Sequence, residues 1–515
     1  MTQTRERVEF LSGRKYFLVV SGLILVALGT RIFCLSAQSL WLDEAISAIV
    51  ALSPLESCIQ FAKGDLHPPL YYILLHFWSL ISRDEFTLRL FSVVTNLLTG
   101  TILFVWVRRM FNPSIALLTL IFFAVSPFQI RYSQEVRMYS ILGLWIVLIL
   151  LLVWRYLESE RLIFLLGYII FSSLGLYTHY QTGIFLVLIN IAIFIRLYLM
   201  GRGRLWRWTL AQLTILALFS PWLPNFISQL RGGGRSWVPF DPSFHAFISP
   251  VFVFLWGEPI LSRIHHTFYP VFPWLGELRH MIPWVSKSSL IILFVFVILK
   301  IWMRRKRDLR LSWPIVFIGF LLIGTLGLCY VLSFKMNIQG AKYLIGTSFV
   351  FYIFVAVVLE ALNRGNRKMG MVLGMAVILT QVFMLILYYL PENHRENWRD
   401  AVIYIEEHSG PGQAVGFHFD SPMAPYVYYA HGSVPAYGFL KEGKLSPSLS
   451  TVIESGRNTI WLFDYLAELY DPKGIVKEKL AQCGYVPSWH HNFNGVALTA
   501  WIKATEPIEN IWNRW

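Results

Sequence analysis

Apolar stretches long enough to cross a lipid bilayer recur along most of this chain, and they limit its possible folds more than any other feature. A hydrocarbon core is about 30 Å thick and needs roughly 20 largely apolar residues per spanning helix. Tyr16–Phe33, Leu88–Val107, Ser114–Phe128 and Met138–Trp154 meet or approach that length, as do Leu162–Leu176, Gly183–Leu199, Thr209–Ile227 and Ser288–Met303. Pro314–Phe334, Tyr343–Leu362 and Met369–Leu390 complete about eleven spans, the shorter ones relying on snorkelling flanks or local thinning. With 56% hydrophobic and only 14% charged residues among 515, the expected class is an α-helical polytopic membrane protein.

The net charge of +14 would suggest a nucleic-acid partner in a soluble protein. Here the basic residues fall in alternate inter-span loops: Arg108-Arg109, Arg155 with Arg161, Arg196 to Arg207, Arg304 to Arg310, and Arg364 to Lys368. Basic loops stay cytoplasmic, so topology accounts for the charge and no nucleic acid is expected. The N-terminus is then cytoplasmic, and the first span, behind Arg5, Arg7, Arg14 and Lys15, reads as an uncleaved anchor in the cytoplasmic (inner) membrane. Leu70–Ile81 is too short to cross and is expected to lie on the outer leaflet as a juxtamembrane helix of the first outer loop. Cys34, Cys58, Cys329 and Cys483 show neither metal-ligand spacing nor a disulfide framework.

After Pro391 the composition turns charged and turn-rich. Trp398–His408 and Val476–Ala481 read as helices, Gln413–Phe419 and Thr459–Phe463 as strands. Residues 1–390 are therefore expected to form the transmembrane domain and residues 391–515 a small C-terminal α/β domain outside the membrane.

Charge-based topology gathers several chemically capable segments on the outer side. Asp43-Glu44 follows the first span; such a carboxylate can take a proton from a hydroxyl or hold a divalent cation, although acidic residues also suit a helix first turn. His67-Pro68-Pro69 leads into Tyr71 and Tyr72; the prolines fix an extended entry and then start a helix. Arg131 to Tyr139 places two arginines and Glu135 in one turn, suited to phosphate, with a local Glu–Arg pair as the simpler account. Lys342-Tyr343 adds a lysine that can bind phosphate or snorkel. Arg231-Gly232-Gly233-Gly234-Arg235 reads as a flap, an anion nest or a plain linker.

Ser39-Leu40-Trp41-Leu42-Asp43-Glu44-Ala45, His67-Pro68-Pro69-Leu70-Tyr71-Tyr72, Phe86 to Leu90 and Tyr132 to Tyr139 together resemble the GT-C superfamily of integral-membrane glycosyltransferases. The resemblance is to the glycosyltransferase family 39-like branch, which includes protein O-mannosyltransferases and the aminoarabinose transferase of lipid A. It implies a GT-C transmembrane domain that moves a sugar from a polyprenyl-phosphate donor to a hydroxyl acceptor, with inversion, at the outer face of the membrane. It implies catalysis by Asp43 and Glu44 and donor-phosphate binding by Arg137, Lys342, Arg131 and Arg31. His67, Tyr71, Glu135, Tyr139 and Tyr343 would be auxiliary, and Asp43 with Glu135 would be the ligands if a divalent cation (Mg or Mn) takes part. A lipid-linked-sugar flippase and a glycan ligase are the alternatives. Carriers keep ionisable groups near the midplane and often repeat their halves, whereas these acidic groups lie at one surface.

Overall fold

The computed structural model describes residues 13–199, 205–231, 241–257, 312–336, 338 and 340–504. The expected span Ser288–Met303 and the glycine-rich segment Gly232–Trp237 lie outside the described residues. The chain divides into two compact units: Met1–Leu35 with Pro54–Leu390, and Ser36–Ser53 with Pro391–Trp515.

The first unit is helical. Eight described helices, or nine if a bent pair counts as one span, are long and apolar enough to cross a bilayer. The chain is a multi-pass membrane protein. Leu162–Thr178 is apolar but has 17 residues. Leu70–Ser79 has ten residues, a rise of about 15 Å, half of a hydrocarbon core. Exposed apolar side chains such as Leu166, Ile191, Leu213, Val372 and Phe383 suit contact with lipid. Glycines allow close helix approach inside the bundle: a Cβ at Gly100 would overlap the Phe123 ring, and one at Gly346 would come within 2.6 Å of Ile146 and 2.8 Å of Phe185.

The bent pair is Pro113–Val125 with Pro127–Ser133, which meet at 59°. Ser126 caps the second helix by accepting from Gln129 N at 3.2 Å, and Pro127 occupies its first position, where a missing N–H does no harm. The first helix loses a donor by the same residue, since Pro127 has no N–H for the carbonyl of Phe123. Arg31, fully buried, replaces it. Its Nη2 donates to Phe123 O at 3.0 Å and its Nη1 to Ala124 O at 3.1 Å, a cation set at a helix C-terminus.

The second unit holds a five-stranded sheet in the order β2-β1-β5-β7-β6, where β1 is Gln413–Phe417, β2 Ala436–Gly438, β5 Thr459–Phe463, β6 Tyr485–Phe493 and β7 Val496–Lys503. β1 runs parallel to β2 and β5, whereas β7 is antiparallel to β5 and β6. The small hairpin β3 (Leu440–Lys441) and β4 (Lys444–Leu445) stands apart from it. Successive strand residues face opposite ways. Val415, Phe417, Trp461 and Phe463 pack with Trp398, Val402 and Ile405 of the helix Trp398–His408. Ala414, Ile460 and Leu462 pack with Leu449, Val452, Val476 and Leu480. The central strands are thus covered on both faces, which explains their unbroken apolar runs.

β1 ends two residues before the expected Phe419. His418 turns into a buried charge cluster instead: its Nδ1 bonds Asp471 at 3.0 Å and its Nε2 bonds Asp464 at 3.1 Å. Lys477 Nζ stands 2.9 Å from Asp464, and Thr499 donates to it at 2.8 Å. Burial alone would raise the Asp464 carboxyl; hydrogen bonds from His418, Lys477 and Thr499 outweigh it and hold the group at about 2. The segment Ser36–Ser53, expected with the membrane domain, packs instead with residues 391–515.

Candidate active site

In the membrane unit the candidate site is built around a residue that the sequence did not single out. His179 lies between the helices Leu162–Thr178 and Gln181–Leu199. Its Nδ1 accepts from the backbone N–H of Gln181 at 3.1 Å, so a neutral ring carries its proton on Nε2. Burial first, and then the charges of His67, Arg137 and Lys342, push His179 well below its ordinary value. The buried Nε2 of His179 and hydroxyl of Tyr139 have no hydrogen-bond partner among the described residues. Around them stand the ring of His67, 5.3 Å from His179, and the ring of Tyr343, 5.7 Å from His179 and 6.5 Å from Tyr139. Lys342 Nζ lies 5.4 Å from the Tyr343 ring centroid, and the charges of Lys342, Arg137 and Glu135 all reach Tyr139. Two buried donors among two fixed cations suit an anion.

His67 is oriented from behind. Asp65 Oδ2 accepts from His67 Nδ1 at 3.0 Å and from Tyr72 Oη at 2.8 Å. Burial would raise Asp65, but the His67 and Tyr72 hydrogen bonds prevail and hold it below the usual carboxylate range. Tyr71, expected in the site, is fully buried against the rings of Tyr72 and Phe91. The hydroxyl on Asp65 is that of Tyr72.

The turn Arg131 to Tyr139 is held mainly through its backbone. Ser92 Oγ donates to Glu135 O at 2.6 Å and Ser140 Oγ to Tyr132 O at 2.9 Å. Arg131 Nε faces Glu135 Oε1 at 3.7 Å, the local pair the sequence allowed. Gln134 is a brace: its Nε2 donates to Arg31 O and Phe33 O at 2.9 and 2.8 Å, and its Oε1 accepts from Tyr388 at 2.9 Å. Arg31, a phosphate ligand by the resemblance, makes its hydrogen bonds here within the protein. Its Nε donates to Asn96 Oδ1 at 2.7 Å, and Asn96 passes the network to Gln129 (3.1 Å) and Ser348 (2.7 Å). Two of its guanidinium nitrogens thus serve the helix break, and the third holds Asn96.

In the second unit, Asp43 is half-buried in the first turn of the helix Leu42–Leu52. Glu44 is 1% exposed and accepts from Trp41 N at 3.4 Å, capping its own helix. Among the described residues no three or more His, Cys, Asp or Glu side chains are arranged to hold a metal ion.

Residues 66–224 match the family model for dolichyl-phosphate-mannose-protein mannosyltransferases, a stretch that contains His67, Arg131 to Tyr139 and His179. No curated protein sequence matches the chain. Among solved structures, ArnT from Cupriavidus metallidurans in the apo state superposes with a TM-score of 0.57 at 12% identity, covering 95% of this chain and 97% of that one. The chain therefore shares the overall fold of that membrane enzyme. The same fold recurs in ArnT bound to undecaprenyl phosphate (TM-score 0.55, 12% identity, 95% and 98% covered). It recurs again in the Archaeoglobus fulgidus oligosaccharyltransferase (TM-score 0.52, 13% identity), which covers 95% of this chain and 74% of its own length. Asp65 and His179 were legible only as polar residues near outer turns; Asp65, two residues before His67, was the nearer signal.

Proposed function

We propose that the protein is a membrane glycosyltransferase that moves a sugar from a polyprenyl-phosphate donor to a hydroxyl acceptor at the outer face of the cytoplasmic membrane. The observation that carries this reading is the pair of unpartnered buried donors, His179 Nε2 and Tyr139 Oη, set among Arg137, Lys342 and His67. A lipid phosphate is the anion such a cluster suits in a membrane protein, and one solved GT-C neighbour holds undecaprenyl phosphate. Alternating basic loops support a cytoplasmic N-terminus and an extracytoplasmic C-terminal domain.

The reaction is a displacement at the anomeric carbon. The acceptor oxygen attacks that carbon and loses its proton to a carboxylate base, the role that the resemblance gives to Asp43. The bond from the carbon to the phosphate oxygen breaks on the opposite face, which inverts the configuration. The electron pair leaves with the polyprenyl phosphate, whose growing charge Arg137, Lys342, His179 and Tyr139 stabilise; preorganised donors act most strongly away from water. A positioned base contributes typically 10²–10⁴-fold, and the bilayer confines the donor to the plane of the site.

Membranes carrying the protein, incubated with polyprenyl-phosphate sugars, should yield a glycosylated product by mass spectrometry. Asp43→Asn should abolish it while leaving donor binding intact. Wild-type turnover by Asp43→Asn removes the base assignment.

A further inference from the structure

The C-terminal domain builds the surroundings of the acidic helix. We propose that this domain is the seat of Asp43, with Ser39, Tyr429 and Tyr465 as positioning residues. The proposal rests on the reading of Asp43 as the base.

The helix Leu42–Leu52 has 11 residues, too few to be stable on propensity alone, so tertiary contacts set its place. The segment leading into it is stitched to residues more than 350 positions away. Arg399 Nη2 donates to Ser36 O at 3.0 Å and to Gln38 O at 3.3 Å. Gln38 Oε1 accepts from Arg395 N at 3.2 Å. Ser39 Oγ donates to Glu396 O at 2.7 Å and accepts from Trp398 N at 3.0 Å. That amide opens the helix Trp398–His408 and has no acceptor within its own helix, so Ser39 completes a helix of the C-terminal domain while being held by it. Leu40 N donates to Tyr429 Oη at 2.7 Å, and the Arg395 guanidinium lies 4.5 Å over the Trp41 ring.

Tyr465 joins the same arrangement through Glu396. Its hydroxyl donates to Glu396 Oε1 at 3.2 Å. Burial, then Glu396, then Asp43 push that hydroxyl above its ordinary range, so it stays protonated and keeps donating. Every anchor lies two to seven residues before Asp43, and every partner lies beyond residue 390. Loosening one anchor shifts the carboxylate; a displacement of about 1 Å in a catalytic group can cost about 10²-fold in rate.

The test uses the full-length protein in nanodiscs. Deuterium exchange of the amides of residues 38–45 is compared in wild type, Tyr429→Phe and Ser39→Ala. Kinetics are measured with whichever of polyprenyl-phosphate mannose, glucose or aminoarabinose the wild type turns over. Exchange should be faster in both variants. In Ser39→Ala, Tyr429→Phe and Tyr465→Phe, kcat should fall roughly 10-fold or more with donor KM within about two-fold. Ser39→Thr, which keeps the hydroxyl, should restore most of the rate. Unchanged exchange and wild-type kcat in these variants, with Asp43→Asn inactive, overturn the seat and leave the base standing. If Asp43→Asn turns over normally, the base reading fails, and exchange alone decides whether the domain holds the helix.

Discussion

Replacing Arg31 by Met removes a fully buried guanidinium while roughly keeping its volume. Three acceptors on other helices lose the guanidinium: Phe123 O, Asn96 Oδ1 and Ala124 O, the last keeping a 3.4 Å bond from Thr30 Oγ1. A stranded buried acceptor costs about 1–3 kcal/mol, whereas hydrogen bonds between membrane helices average only about 0.6 kcal/mol, because the separated helices find other partners. The second figure understates the loss at Phe123, whose own helix has no N–H to offer at Pro127. Summed over the three acceptors, the variant should lose about 2–4 kcal/mol. Arg31→Lys should recover only part of this, since an ammonium cannot fork between the carbonyls and Asn96. Thermal unfolding in detergent, followed beside donor kinetics, measures both consequences. A variant that melts like the wild type refutes the bracing argument. Normal melting with a raised donor KM would instead return Arg31 to the phosphate contact that the resemblance implies.

Further outcomes follow from the same geometry. Arg137→Ala, Lys342→Ala and His179→Ala should each raise donor KM by roughly 10-fold, as expected for a charge-assisted hydrogen bond of about 1.5–3 kcal/mol, with acceptor KM little changed; unchanged donor kinetics in all three would remove the phosphate cluster. Asp464 binds its proton less readily when folded, at about 2 against an ordinary 3.8, so the stability it contributes is complete above about pH 4 and disappears as pH falls toward 2. That contribution is on the order of 2 kcal/mol. Asp464→Asn should flatten this limb in a pH series of unfolding temperatures, and an unaltered limb would exclude the cluster as its source. A cysteine at Lys335 should be labelled by an impermeant reagent from outside and one at Arg364 should not; the reverse pattern overturns the orientation.

Most of the helices were legible in the sequence because a bilayer demands long apolar runs. The two central strands were legible as well, since both of their faces are covered by helices. The turn Arg131 to Tyr139 and the histidine before Pro68 stood out as charge where lipid-facing economy leaves little. The sequence could not say which of these charges do chemistry. Arg31 is a phosphate ligand by the resemblance, yet it serves carbonyls on a distant helix. Glu44 looks like a second acid and caps its helix.

What the sequence determined alone was hydrophobic periodicity, loop charge and turn chemistry, since these act between residues a few positions apart. The membrane-spanning architecture and the α/β character of the last third follow from them. Only the tertiary structure decided that His179 gathers Arg137, Lys342 and His67, and that the acidic helix belongs with residues 391–515. Both depend on hydrogen bonds and charge pairs that join residues tens to hundreds of positions apart. Such partners are chosen by how helices and strands pack, and no local pattern in the chain encodes them.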